Sequence, residues 1–284
     1  MVASKGKTKH QTINQRISAG CGQGRGIDYQ PAIWVRDFSS KGLSTQSFGW
    51  KTQRVHHFFS ELELSYFLTL EWSAIVTDIR EQYPLTSEET LLIAQECGIS
   101  HPLNPDTREP NVMTTDFVVT VRSSIGVTDY ARTVKPIKKL SSKRVLEKFE
   151  IERRYWEKRN MNWGIVTERE IPFVLVENVK WLHNFFYVQD LSPLTEDEIR
   201  QIATPLTIGV AQARASLRDL AAECDSRLGL ERGSSLCVAR HLIANRQWLI
   251  DIQQPIQPHQ KLILCATSPL LNHLGFTQVS NEDF

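Results

Sequence analysis

The run from Met113 to Lys135 constrains this chain more than any other stretch. Residues Met113 to Arg122 alternate in hydropathy, with Asp116, Val118 and Thr120 on one side and Phe117, Val119 and Val121 on the other. Ser123 to Gly126 reads as a turn, and Tyr130 to Lys135 as a returning strand. Such a hairpin sets Asp116, early in one strand, across the antiparallel ladder from Lys135, late in the other. Thr133 lies two residues before Lys135 and is expected on the same sheet face.

The surrounding pattern supplies more layers. IWVRDF (33–38) is expected as a strand, SSKG as its turn and LSTQSFGW as the return. Ser60 precedes Glu63 at capping-box spacing, and Leu64, Phe67, Leu68 and Trp72 then recur at helical intervals. Ile75 to Leu85 fits a strand, Leu91 to Cys97 a helix stopping at Gly98, and Trp163 to Thr167 a buried strand. Between them, Lys143 to Arg159 forms a long basic helix. From about Ile171 helical patterns dominate: Val174 to Phe186, Glu196 to Ala203, Leu206 to Leu228 and Ser235 to Arg246. WLIDIQQPI and KLIL then read as a short hairpin, so the second half is expected to be a winged helix. Two domains follow, 1–170 and 171–284.

With 41% hydrophobic and 23% charged residues, the chain has the composition of a globular protein. No apolar run approaches a membrane span, and MVASKGKTKH lacks the apolar stretch of a secretory signal, so a cytoplasmic location is expected. Five scattered cysteines without a CxxC pair argue against a disulfide framework and a zinc ribbon.

The net charge of +1 conceals two basic regions. Lys5, Lys7, Lys9, Arg16 and Arg25 face only Asp28 in the first thirty residues, and 1–32 is expected to be a flexible basic arm. Arg132 to Arg159 carries eleven Lys/Arg. Basic clusters in a near-neutral chain point to a polyanion, although a solvated helix face has the same composition.

Glu63, Asp116 and Lys135 are the candidate constellation. Phosphodiester hydrolysis needs charge neutralisation on the phosphate and a hydroxide-like nucleophile, both of which hard divalent cations supply when carboxylates hold them. A neighbouring lysine can orient the attacking water or stabilise developing negative charge. By spacing alone a plainer reading stands beside this one: Glu63 caps Ser60, Asp116 ends a strand and Lys135 is a solvated edge residue.

In the order RVHHFFSELE, LEW, DIREQYPL, TTDF, VKP and EKFEIERRYW, the chain closely resembles the TnsA family, the endonuclease subunits of heteromeric cut-and-paste transposases. GQGRGIDYQP and IVTEREI match as well, so the resemblance covers roughly the first 170 residues. It implies an α/β, restriction-endonuclease-like fold: a mixed sheet with flanking helices, followed by a mainly α, winged-helix C-terminal domain. The family's catalytic acids fall on Glu63 and Asp116, and its catalytic lysine on Lys135. Where restriction-type nucleases place an acid two residues before the lysine, and this family typically Gln, the chain has Thr133. The implied metal shell is therefore Glu63, Asp116, the backbone carbonyl of Val134 and waters.

The same resemblance implies Mg²⁺, with Mn²⁺ able to substitute, and hydrolysis of the non-transferred 5′ strand at transposon ends. The implied partners are DNA, a TnsB-like transposase, and a TnsC-like AAA ATPase engaged through the C-terminal domain; no membrane is involved. Arg25, Arg54, Lys138, Lys139, Lys143 and Arg144 are the expected DNA contacts, and Arg80 and Gln82 could line the cleft. Two alternatives are a non-catalytic assembly factor in which Thr133 marks a decayed site, and a lone restriction or repair nuclease.

Overall fold

A computed structural model describes residues 12–37, 44–105 and 107–267. The chain divides into two compact units, Met1–Ile171 and Pro172–Phe284.

The first unit opens with a short helix, α1 (Ile13–Ser18), capped reciprocally by Thr12 and Gln15. Strands β1 (Thr45–Phe48) and β2 (Val55–Phe58) form an antiparallel pair. Helix α2 (Glu61–Trp72) starts at Ser60, whose side chain accepts the Glu63 N–H. Strand β3 (Val76–Pro84), helix α3 (Ser87–Glu96), strands β4 (Thr114–Ser123) and β5 (Gly126–Val134), helix α4 (Lys143–Glu157) and strand β6 (Asn162–Val166) follow. The sheet order is β3-β4-β5-β6. Its first two pairings are antiparallel, and β5 to β6 is parallel, with α4 making the crossover that a parallel pair requires.

One core lies between this sheet and helices α3 and α4, built from Leu85, Ile93, Met113, Val118, Ala131, Ile151, Tyr155 and Trp156. Toward α2 and β2 an aromatic group, Phe58, Phe67, Tyr66 and Phe117, closes the opposite side.

Strand alternation breaks at Gln82, and this positions the site. Glu81 meets Arg54 and His56 of the β2 side, yet Tyr83, two residues on, lies against Trp156 of α4. A regular strand would put both on one face. Gln82 between them has φ +48°, a left-handed conformation rare for a residue with a side chain. Opposite it, Thr115 donates to Glu152 of α4 while Phe117 packs with Phe58 and Tyr66. Asp116 therefore does not share a simple two-residue alternation with its neighbours.

Two expectations for the N-terminal region fail. Residues 12–32 are not a loose arm: Arg16 is buried and paired with Asp37, and Cys21, Tyr29 and Ala32 are buried. The Tyr29 hydroxyl donates to the Glu81 carbonyl. Residues 1–11, with Lys5, Lys7 and Lys9, lie outside the described residues. Nor do residues 33–37 form a strand. Val35–Asp37 make a 3-10 turn, because the Asp37 carboxylate takes the Trp34 N–H and Arg16 and Arg36 stack on the Trp34 ring. Phe38 and the SSKG turn lie outside the described residues, and β1 pairs instead with β2.

The second unit is mainly helical: α5 (Phe173–Leu182), α6 (Glu196–Ala211), α7 (Leu217–Leu228) and α8 (Ser234–Ala244). Its core is Val179, Leu182, Ile202, Leu206, Val238, Ala239, Leu242 and Ile243. The helix boundaries differ from expectation. Helix α6 runs through Pro205 to Ala211, and the chain then breaks at Ala213 (φ +48°) before Ser216 caps α7. The expected hairpin shrinks to two-residue strands, β7 (Trp248–Leu249) and β8 (Ala266–Thr267); KLIL is not one of them. Asn178 of α5 holds the intervening loop through the carbonyls of Ile252 and Gln254 and the Ile256 N–H, which removes the incentive for a longer ladder. The cysteines are all free. Among the described residues no helix is long and apolar enough to cross a membrane.

Candidate active site

Glu63 comes from the first turn of α2, where its carboxylate has a local task. Its oxygens accept from the Phe59 N–H (3.0 Å) and the Ser60 hydroxyl (2.8 Å). The capping role is therefore real, but it does not use the group up: Oε2 also faces the Gln82 carboxamide nitrogen at 3.4 Å. Asp116 sits where β4 loses its alternation. Its Oδ2 takes the Val134 N–H at 2.7 Å, which draws the β5 main chain against this carboxylate. Lys135 follows directly, with its own N–H held by the Val166 carbonyl of β6.

Electrostatics tie the three together. Burial, and then the Asp116 carboxylate beside it, push the Glu63 carboxyl up from 4.5 to about 7, against hydrogen bonds from Phe59 and Ser60 and the pull of the Lys135 ammonium. Burial likewise raises Asp116, opposed by the Val134 N–H, Lys135 and Gln82. Two acids gathered in a poorly solvated place, with one ammonium beside them, disfavour their own ionisation until positive charge arrives. Hard oxygen donors of this kind fit a divalent cation. Among the described residues no group of three or more His, Cys, Asp or Glu side chains is arranged to hold a metal, so a cation here would draw on the two acids and on amide, main-chain or water oxygens.

The sign of the resulting pH dependence is definite. An acid whose folded pKa lies above its unfolded one penalises folding as pH rises between the two. For Glu63 that window runs from about 4.5 to about 7. Glu63 should therefore cost the metal-free protein stability as pH rises from about 4.5 to about 7, and Mn²⁺ should restore more at pH 8 than at pH 6, roughly 5 °C in Tm. Calorimetry with and without Mn²⁺ at both pH values checks this. A cation-induced shift that is equal at both would mean the acids are not its ligands.

Thr133 does not face the acids. Its hydroxyl donates a short hydrogen bond to Glu152, which also accepts from Thr115 (2.7 Å) and the Trp163 indole (3.1 Å). Sequence reasoning missed Glu152, whose carboxyl burial pushes up to about 7. Its place three residues after Phe149 and four before Trp156 puts it on the buried face of α4, a signal that the helix's basic composition masked.

The expected DNA contacts separate into groups. Lys138 and Lys139 are exposed on the 3-10 turn Ile137–Lys139 just after Lys135, and Lys143 is 92% exposed at the start of α4. Arg144 is held by the Ser100 carbonyl and Glu147. Lys148, one turn further and not foreseen, lies close enough to Arg144 and Lys135 that, after burial, they lower its pKa. Arg25 is half exposed but chelated by Asp129 and bonded to Thr120. Arg54 is a correction. It is 8% exposed, gives both terminal nitrogens to Glu81 and bonds the Ile79 carbonyl, so no phosphate can reach it without breaking that pair. Arg80 also leaves the cleft, pairing with Asp78 and Asp129.

His56 and His57 do not pair. His57 Nδ1 accepts the Val35 N–H at 3.2 Å, whereas His56 lies between the Thr52 hydroxyl (2.6 Å) and Glu81 (2.7 Å). The Thr-His-Glu line imitates a nucleophile with its base and orienting acid. All three are buried, so it is a structural brace.

Residues 73–168 match the family described as TnsA-like endonuclease N terminal, which makes this unit an endonuclease domain, of a kind that generally uses a divalent metal. Residues 170–252 match the family described as TnsA endonuclease C terminal. The chain belongs to the TnsA endonuclease family. It is 36% identical over 269 residues to the Transposon Tn7 transposition protein TnsA of Escherichia coli, covering 95% of this chain and 96% of that one.

Proposed function

We propose that this chain is the transposon-end endonuclease of a cut-and-paste transposition system, hydrolysing the non-transferred 5′ strand. The observation that carries this reading is the meeting of Glu63, Asp116 and Lys135 in a chain so similar to a transposition protein. Glu63 and Asp116, with the Val134 carbonyl, would hold Mg²⁺, or Mn²⁺ in its place. Bound there, the cation supplies a hydroxide-like nucleophile and neutralises the phosphate. The Lys135 ammonium orients that water and opposes the negative charge growing on the phosphoryl oxygens. Lys138, Lys139 and Lys143 present unburied cations beside Lys135 for the flanking phosphates, and Arg144 with Lys148 extends that strip along α4.

The second unit is read as a winged helix, with α6 to α8 as its helices and the β7–β8 pair as a reduced wing, docking a TnsC-like AAA ATPase. A TnsB-like transposase would recognise the end sequence and cut the other strand. The convergence of all three chemical groups weighs against a decayed assembly factor. The family-wide match beyond the acids weighs against a nuclease acting alone.

Strand-resolved cleavage tests this. With a plasmid carrying both transposon ends, transposase, ATPase and Mg²⁺, adding the wild-type chain should produce 5′-strand nicks bearing 5′-phosphates. Leaving it out should remove those nicks alone. Loss of both strands' cuts, or of neither, would sink the strand assignment.

A further inference from the structure

The two acids offer a cation too few protein ligands, and Thr133, which stands where the family typically has Gln, is engaged by Glu152. Gln82 reaches the same point from β3. It is 5% exposed, its carboxamide nitrogen lies 3.4 Å from Glu63 Oε2, and the same side chain comes near enough to Asp116 to oppose the rise in that acid's pKa. Its oxygen accepts from the Thr114 hydroxyl at 3.2 Å. The main chain there is strained, with φ +48° in mid-strand and the carbonyl taken by the Ala32 N–H. A left-handed conformation is unfavourable for a residue other than glycine, and such strain gathers at functional sites. Here it aims one amide at both acids.

We propose that Gln82 is a two-state positioning residue for the cation site. In the metal-free protein its N–H groups bridge Glu63 and Asp116 and hold two mutually repelling acids at a fixed spacing. When a divalent cation enters, the carboxamide turns half over about its last bond and gives its oxygen to the ion. The nitrogen then faces Thr114, whose hydroxyl can accept as readily as it donates. The amide thus supplies the ligand that Thr133 does not.

This inference rests on the assignment of Glu63 and Asp116 as cation ligands, and Mn²⁺ binding to the full chain at pH 8, followed by electron paramagnetic resonance, separates the two. Gln82→Leu keeps the bulk and loses both amide groups; its Kd for Mn²⁺ should rise about tenfold, an amount set by losing one ligand. Gln82→Glu keeps an oxygen and should bind Mn²⁺ at least as tightly as wild type, while its metal-free form melts lower because three acids then crowd together. A merely structural Gln82 would lower Tm in Gln82→Leu and leave Kd unchanged, which overturns the proposal. So does a Gln82→Glu chain that binds as weakly as Gln82→Leu. If Gln82→Leu does not fold, Thr114→Val decides: Gln82 loses its pivot and Kd should still rise severalfold, and an unchanged value overturns the idea. Asp116→Asn is the control. Loss of Mn²⁺ binding there with normal binding in Gln82→Leu defeats this inference alone; normal binding in both defeats the cation site itself.

Discussion

Asp116→Asn should lower 5′-strand cleavage by roughly 10³-fold or more while the protein remains folded. The amide keeps an acceptor for the Val134 N–H, so the β4–β5 contact at 2.7 Å survives. What disappears is one negative charge of the pair that would hold the cation. The same loss relieves Glu63, whose carboxyl the Asp116 charge helps to raise to about 7. At pH 8 the metal-free variant should therefore melt at or above the wild-type temperature, and its response to Mn²⁺ should vanish. Strand-resolved gels and calorimetry on one preparation test both halves. Cleavage within tenfold of wild type would remove Asp116 from the chemistry, and a markedly lower metal-free Tm would reassign it to the fold.

Glu81→Ala should have the largest effect on stability, about 3–5 kcal/mol in urea unfolding. Burial works against the Glu81 charge, yet His56 and Arg54 hold its carboxyl well below the usual range. Burial in turn keeps His56 below its ordinary value, so at pH 7 it is neutral. Because Glu81 can only accept, His56 Nδ1 must carry the hydrogen and Nε2 must accept from Thr52. Removing Glu81 strands the Arg54 guanidinium, 8% exposed, and leaves His56 without its acceptor. The pH signs agree. Glu81 contributes stability that is fully present above about 4.5 and fades as pH falls through its depressed folded pKa. His56 contributes stability that is present above 6.5 and fades as pH falls below it. Both losses occur on the acid side; the variant should lose the Glu81 part, whereas His56, deprived of the carboxylate that raises its pKa, keeps its own. A cost below about 1 kcal/mol would show that water replaces the carboxylate.

Helix α2 with its Ser60 cap, the β4–β5 hairpin and the basic helix α4 were legible because each is periodic and local. Glu63, Asp116 and Lys135 could be named, but their meeting could not be derived from alternation. Strict alternation paired Lys135 with Thr133, whereas Thr133 turned to an inward-pointing Glu152. Gln82 could be placed toward the cleft from its strand face, but nothing in EQYP announces its positive φ. Arg54 looked like a phosphate contact because an isolated arginine in a sequence carries no mark of a carboxylate 27 residues away. The segment 12–32 looked unstructured for its glycines and charge; what anchors it is a few scattered residues, Arg16, Cys21, Tyr29 and Ala32, without a period.

The hydrogen bond from Ala32 to the Gln82 carbonyl carries a practical warning about how this enzyme can be trimmed. The match to the family's N-terminal model begins at residue 73, which invites a minimal nuclease cut near that point. Such a fragment would discard α2 with Glu63, the β1–β2 brace around His56, and the glycine-rich clasp that grips the reversed residue from outside. The smallest piece worth purifying starts before Thr12, because the chain's opening turns form the back wall behind the residues proposed to cut.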